Sequence, residues 1–251
     1  MMEKVLFHDL YKRLNTLEIH SCSPETLSGL LHGYLTVYSM VRVYPWLEDD
    51  FGAAGEIHER AKGIARLYPC QLENGDVPAD TRAGYAADLM DVYQVYSDLG
   101  YLKTGLDGAY RILAARGDGR LSLPCRTPNV CRMLCDCYYF AGDEDCGKLA
   151  GQLVTEVLGY TQGGARVDLL SWWEAICLYD DAVGRVELPL EERERLSEER
   201  SRLSVRVRQM EDTLIDQFCM EEDTSRVTGQ VFHILAKREF AACNTEHGKK
   251  G

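Results

Sequence analysis

Apolar side chains recur along this chain at spacings of three and four, the period of a helix with one buried face. The clearest case is Leu27, Leu30, Leu31, Tyr34, Leu35, Tyr38 and Val41. Ser23-Pro24-Glu25 precedes that stripe and combines an N-cap, a proline suited to the first helical turn and an early acid. A helix starting there is predicted to stop at Pro45, and Gly29 and Gly33, four apart on it, would let another backbone come close. Helices are also predicted over 3–18, with Val5, Leu6, Leu10, Leu14 and Leu17 on one side, and over 47–67, with a loop over 68–80. Further helices are predicted over 81–97, 99–115, 129–141, 144–160, 166–181, 191–218 and 225–242, with a long loop over 116–128 and a frayed end from His247.

Two of these passages repeat. Laying 86–115 over 131–160 at an offset of 45 matches Leu89 with Leu134, Asp91 with Asp136, Tyr93 with Tyr138, Asp98 with Asp143, Lys103 with Lys148 and Leu113 with Leu158. The pattern is that of a helical hairpin of about 45 residues, which covers its apolar face by stacking on the next unit. The expected fold is all-α, with stacked helical hairpins as an α/α toroid or a short α-solenoid. Residues 1–187 would form the repeat domain, and 188–251 a long charged helix with a return helix on it.

The long helix carries Glu191 to Arg195 and Glu198 to Arg202 in the favourable i,i+4 order. Its apolar positions, Leu196, Leu203, Val207, Met210 and Leu214, could be covered by its own domain or form a short seam suited to a homodimer.

Charge narrows the partners. Forty acidic residues against 28 basic ones give −12, which repels phosphate backbones and anionic lipid. No run is long and apolar enough for a membrane span, and the N-terminus lacks a signal-peptide pattern, so a cytoplasmic location without nucleic-acid or membrane partners is expected. The ten cysteines lie mostly in apolar helical stretches and are expected as reduced thiols. Cys131 and Cys135 share a helix face and are the weak candidates for half a zinc site, with no Cys-x-x-Cys and no nearby histidine to complete it. No cofactor is expected.

The candidate chemistry is acidic. Asp91 and Asp136 correspond in the repeat, and a further step of 38 takes Asp136 to Glu174 and Asp143 to Asp181. If equivalent positions share one mouth, their carboxylates would push each other's pKa apart, as general acid and base work requires. Trp172 or Trp173 could stack on a sugar ring, and Tyr93 and Tyr138 are the other candidate binding residues. His32, midway along the strongest helix, is expected inside with a hydrogen bond. No nucleophile elbow, phosphate loop or dinucleotide fingerprint occurs.

Helical hairpins of this length, with an Asp near the turn, resemble the α/α-toroid proteins, which include six-hairpin glycosidases and lanthionine-synthetase C-like cyclases. Ser171–Tyr179, SWWEAICLY, is similar to the aromatic-acid segment of unsaturated glucuronyl hydrolases. That resemblance implies a catalytic carboxylate at Glu174. The cyclases' zinc pattern, a Cys in a Trp-Cys-x-Gly context and a later Cys-His pair, does not occur here. Open solenoids resemble the chain equally and bind peptides without catalytic residues. The primary expectation is therefore a non-catalytic module that recognises a protein or peptide. The alternative is a toroidal carbohydrate-active hydrolase or lyase using Glu174 with Asp136 or Asp91.

Overall fold

The computed structural model describes residues 2–19, 22–114, 121–163, 167–220 and 227–247. Among these there is no strand. The helices are α1 (Met2–Leu14), α2 (Pro24–Val43), α3 (Glu48–Phe51), α4 (Ala54–Ala65), α5 (Tyr68–Glu73), α6 (Ala79–Tyr96), α7 (Leu99–Leu113), α8 (Pro128–Ala141), α9 (Glu144–Gln162), α10 (Leu169–Leu178), α11 (Arg185–Glu187), α12 (Leu190–Met220) and α13 (Thr228–His247). A 3₁₀ turn, Pro45–Leu47, follows α2, and a π-helical turn, Tyr179–Gly184, follows α10. The chain forms two compact units, one of 1–69 with 213–251 and one of 70–212. The change of composition at 187/188 falls inside the second unit.

In the first unit, Ser23 caps α2 by accepting from the Thr26 amide, and α2 packs on α13 and α4. The expected close approach occurs at Gly29. A Cβ there would lie 2.4 Å from the backbone carbon of Gly229. At Gly33 the neighbour is instead the Phe232 ring. Phe7, Tyr11, Tyr34, Phe51 and Phe232 form one aromatic core with centroids 5.2–6.2 Å apart, and Tyr11 donates to the Phe51 carbonyl.

Three sequence expectations need correction here. α1 ends at Leu14 with Leu17 exposed beyond it, and Val5, inside the helix, faces outward and not with the apolar side. The helix expected over 47–67 is broken at Gly52, whose φ of +85° lies in the left-handed region that a continuing L-residue helix cannot use. The loop expected over 68–80 begins with a helical turn, α5, because Tyr68 and Leu72 find buried places one turn apart.

The second unit contains the repeat. α6 packs on α7, α8 on α9, and α6 on α8. Leu89 and Leu134 are both fully buried. The two turns are built alike: Ser97 (φ 58°) and Gly142 (φ 68°) take the left-handed conformation and donate to the carbonyls of Tyr93 and Tyr138. Asp98 and Asp143 then cap α7 and α9. The matched aspartates thus begin the second helix of each hairpin. The starts of α6 and α8 are tied together by Asp80, which accepts from Thr127 Oγ1 (2.5 Å) and Asn129 Nδ2 (3.3 Å).

α10 continues the pile against α8. Where one helix over 166–181 was expected, the chain widens into the π turn after Leu178. Arg200 on α12 holds that turn by donating to Asp180 (2.8 Å) and Asp181 (2.9 and 3.2 Å). On α12, Leu196, Leu203 and Val207 are buried and Met210 and Leu214 half-buried, so the seam is largely covered within the chain. Arg202 pairs with Glu199, three residues before it, and not with the expected Glu198. The expected frayed end from His247 lies outside the described residues beyond that position, as do 115–120 of the loop after α7.

Candidate functional site

The three expected acids come to one place, and what gathers them is an arginine. Arg132 projects from α8 and is buried, with a side chain 9% exposed. Its Nη2 donates to Asp88 Oδ1 (3.0 Å) and Asp91 Oδ2 (2.8 Å), both on α6. Asp88 and Asp91 stand three apart and Arg132 and Asp136 four apart, so each pair shares a helix face. Glu174 on α10 adds its field to the same guanidinium. Burial works against the charge on Arg132 more than any other single influence. The carboxylates of Asp88, Asp91, Glu174 and Asp136 outweigh it together and keep the guanidinium firmly protonated.

Asp136 is 2% exposed, and its Oδ2 has no hydrogen-bond partner. Burial first, and the Asp91 carboxylate second, push its pKa well above the carboxylate range; Arg132 pulls the other way and does not prevail. Asp136 is thus biased toward its neutral form, the separation of roles expected when carboxylates crowd. It has a pH consequence. The folded state holds this proton where the unfolded chain has lost it, so the fold is favoured below the unfolded pKa and loses stability as pH rises from about 3.9 toward the folded value. Asp136→Asn keeps the shape without the titration. Its stability relative to the parent should therefore grow from pH 4 to pH 8, as measured by urea unfolding at each pH; a constant difference would mean that Asp136 is ionised.

The other expected residues divide. Trp172 is buried at 8% exposure and offers no open face, while Trp173 is half-buried. Tyr93 meets Phe140 edge-on at 5.5 Å. Tyr138 covers Gly147, where a Cβ would meet its ring at 2.7 Å, and its hydroxyl donates to Glu187 Oε1 at 2.6 Å. That hydrogen bond, ahead of burial, pushes its phenol up to about 12.

Cys131 and Cys135 do lie together, hydrogen-bonded and fully buried, and Cys137 bonds Cys146 across the hairpin. Burial raises the Cys135 thiol, and the bond to Cys146, ahead of burial, raises Cys137. Neither is disposed to become the thiolate that a metal needs. None of the ten cysteines is in a disulfide. In the first unit His32 stacks on His233 at 5.1 Å.

A groove of about 750 Å³ runs along α9 in the second unit. Its floor is the α9 face carrying Gly147, Gly151 and Thr155, and its wall is Tyr179 and Val183 of the π turn with Leu188 beyond. A Cβ on Gly151 would stand 2.7 Å from the Tyr179 hydroxyl, so glycine there admits the tyrosine. Arg126 and Glu156 pair at one end; Lys148 and Glu187 stand on the lining too, the latter held by Tyr138. Asp91, Asp136 and Glu174 do not line it.

Sequence reasoning missed Arg132, Asp88 and the π turn. Arg132 had a legible signal, since a charge inside the apolar run Val130–Cys137 calls for a buried partner. The π turn had none, because YDDAVG is compatible with an ordinary helix. Comparison with protein-family models, curated proteins and solved structures gives no match.

Proposed function

We propose that this chain is a non-catalytic helical binding module that receives a protein or peptide segment in the groove along α9. The observation that carries this reading is the division of labour in the second unit. The clustered acids are turned inward onto Arg132, whereas the groove is lined by two glycines packed against tyrosines, by Thr155 and Gln152, and by mixed charges. A glycosidic pair must reach both sides of the scissile bond, and Asp136, with 2% of its surface exposed, is poorly placed for that. The π-helical turn supports the groove, since single π turns inside α-helices occur frequently at functional sites. The expected hydrolase reading draws its support from the convergence of Asp91, Asp136 and Glu174 about one guanidinium.

The two readings separate in one experiment. A photocrosslinking amino acid replaces Thr155, exposed on the groove floor, or Val205, exposed on α12 and absent from the lining. The full chain is then irradiated in cell lysate. A protein captured from Thr155 and not from Val205, and lost when Gln152→Trp fills the groove, is the expected outcome. Capture no stronger at Thr155 than at Val205 overturns the reading, and so does turnover of a glycoside by the purified chain that disappears in Glu174→Gln.

A further inference from the structure

Charges around the groove are unevenly matched. Arg126 at one end is paired with Glu156. At the other, Lys148 is shared between Glu144 (3.7 Å) and Asp145 (3.5 Å), whose side chains are each 74% exposed. Glu187 stands at that same end, and among the described residues it is held by the Tyr138 phenol and by no cation. On the lining, two cations face two carboxylates, but Lys148 is also shared with Glu144 and Asp145 beyond it, so the surplus negative charge lies at the Glu187 end. The Glu187 carboxylate, on the lining and oriented by the Tyr138 hydroxyl, suits a cation through a charge-assisted hydrogen bond.

Resting on the groove reading above, we propose that the occupant is a basic peptide segment whose lysine or arginine side chain sits at the Tyr138–Glu187 end, while its apolar part lies over Gly151 and against Val183. The chain's net charge of −12 draws such a segment in from a distance, and the pairing at Glu187 fixes its register.

The test uses the purified chain and two fluorescein-labelled probes, an Ala-Lys repeat peptide and its Ala-Glu counterpart, read by anisotropy at physiological salt. The Ala-Lys probe should bind and the Ala-Glu probe should not. Glu187→Gln should weaken binding about fivefold, near the upper range for one exposed charge pair. Glu25→Gln, the same charge change at an exposed position on α2, should stay within about twofold, and Gln152→Trp should abolish binding. Equal losses in Glu187→Gln and Glu25→Gln, or equal binding of the two probes, overturn the proposal, because attraction would then be diffuse or indifferent to sign. If the Ala-Lys probe fails while capture at Thr155 persists, the basic occupant is wrong and the groove reading stands. Loss of both removes the two together.

Discussion

Arg132→Met should destabilise the chain by about 3–5 kcal/mol, the cost of removing one member of a buried ion cluster while leaving its partners in place. Methionine keeps most of the apolar stem, so little of this loss is a cavity. It arises because Asp88, 0% exposed, and Asp91 beside it lose the guanidinium nitrogen that bonds both. A surface ion pair would cost under about 1 kcal/mol, so the measured size decides whether the cluster is structural. Arg132→Lys should fall between, because an ammonium keeps the charge but cannot match the planar fork. Urea unfolding followed by circular dichroism reads both. A change below about 1 kcal/mol in Arg132→Met would show that the acids do not depend on Arg132, and would return them to contention as reactive groups.

Gly29→Ala should be nearly as damaging, against the usual sign of such a change. In a helix interior, alanine is better than glycine by about 1 kcal/mol. At Gly29 the added methyl would meet three backbone atoms, the Gly229 carbon at 2.4 Å, its oxygen at 2.6 Å and the Gln230 nitrogen at 2.7 Å. None can rotate away, so α2 and α13 must separate along the contact that builds the first unit. Gly229→Ala should behave alike, since its Cβ would lie 2.3 Å from the Thr26 carbonyl oxygen. A net loss of about 3 kcal/mol, or roughly 10 °C in Tm, is expected. Gly55→Ala, where nothing lies within 4 Å, should be neutral or slightly stabilising. Equal melting temperatures for Gly29→Ala and Gly55→Ala would refute the close crossing.

These two variants also mark how far the sequence could be read. The crossing at Gly29 was legible, because glycines four apart on a strongly apolar stripe have few other uses. Its partner was not: nothing in Val227–Phe232 announces that Gly229 of a distant helix is the surface it meets. The acids follow the same pattern. Their recurrence at equivalent positions predicted that they would meet, yet recurrence says nothing of the guanidinium between them, which bonds Asp88 and Asp91 and lies in the field of Glu174 and Asp136. Of the expected aromatic residues, Tyr138 packs over Gly147 on α9 and holds Glu187, which lines the groove. Trp172, one position away from Trp173 on the same helix, is turned inward.

By itself the sequence determined the helices, most of their caps and the equivalence of the two hairpins, since these depend on neighbours within about a turn: a period of 3.6, a capping aspartate, a glycine able to take positive φ. It also set the acidity that makes a basic partner favourable. Tertiary structure alone decided the widening of the chain at Tyr179–Gly184, the upward push on the Asp136 carboxyl and the groove along α9. Each of those depends on what stands opposite in space, on the burial, field or ring that another helix brings, and side chains distant in sequence carry no local trace of such encounters.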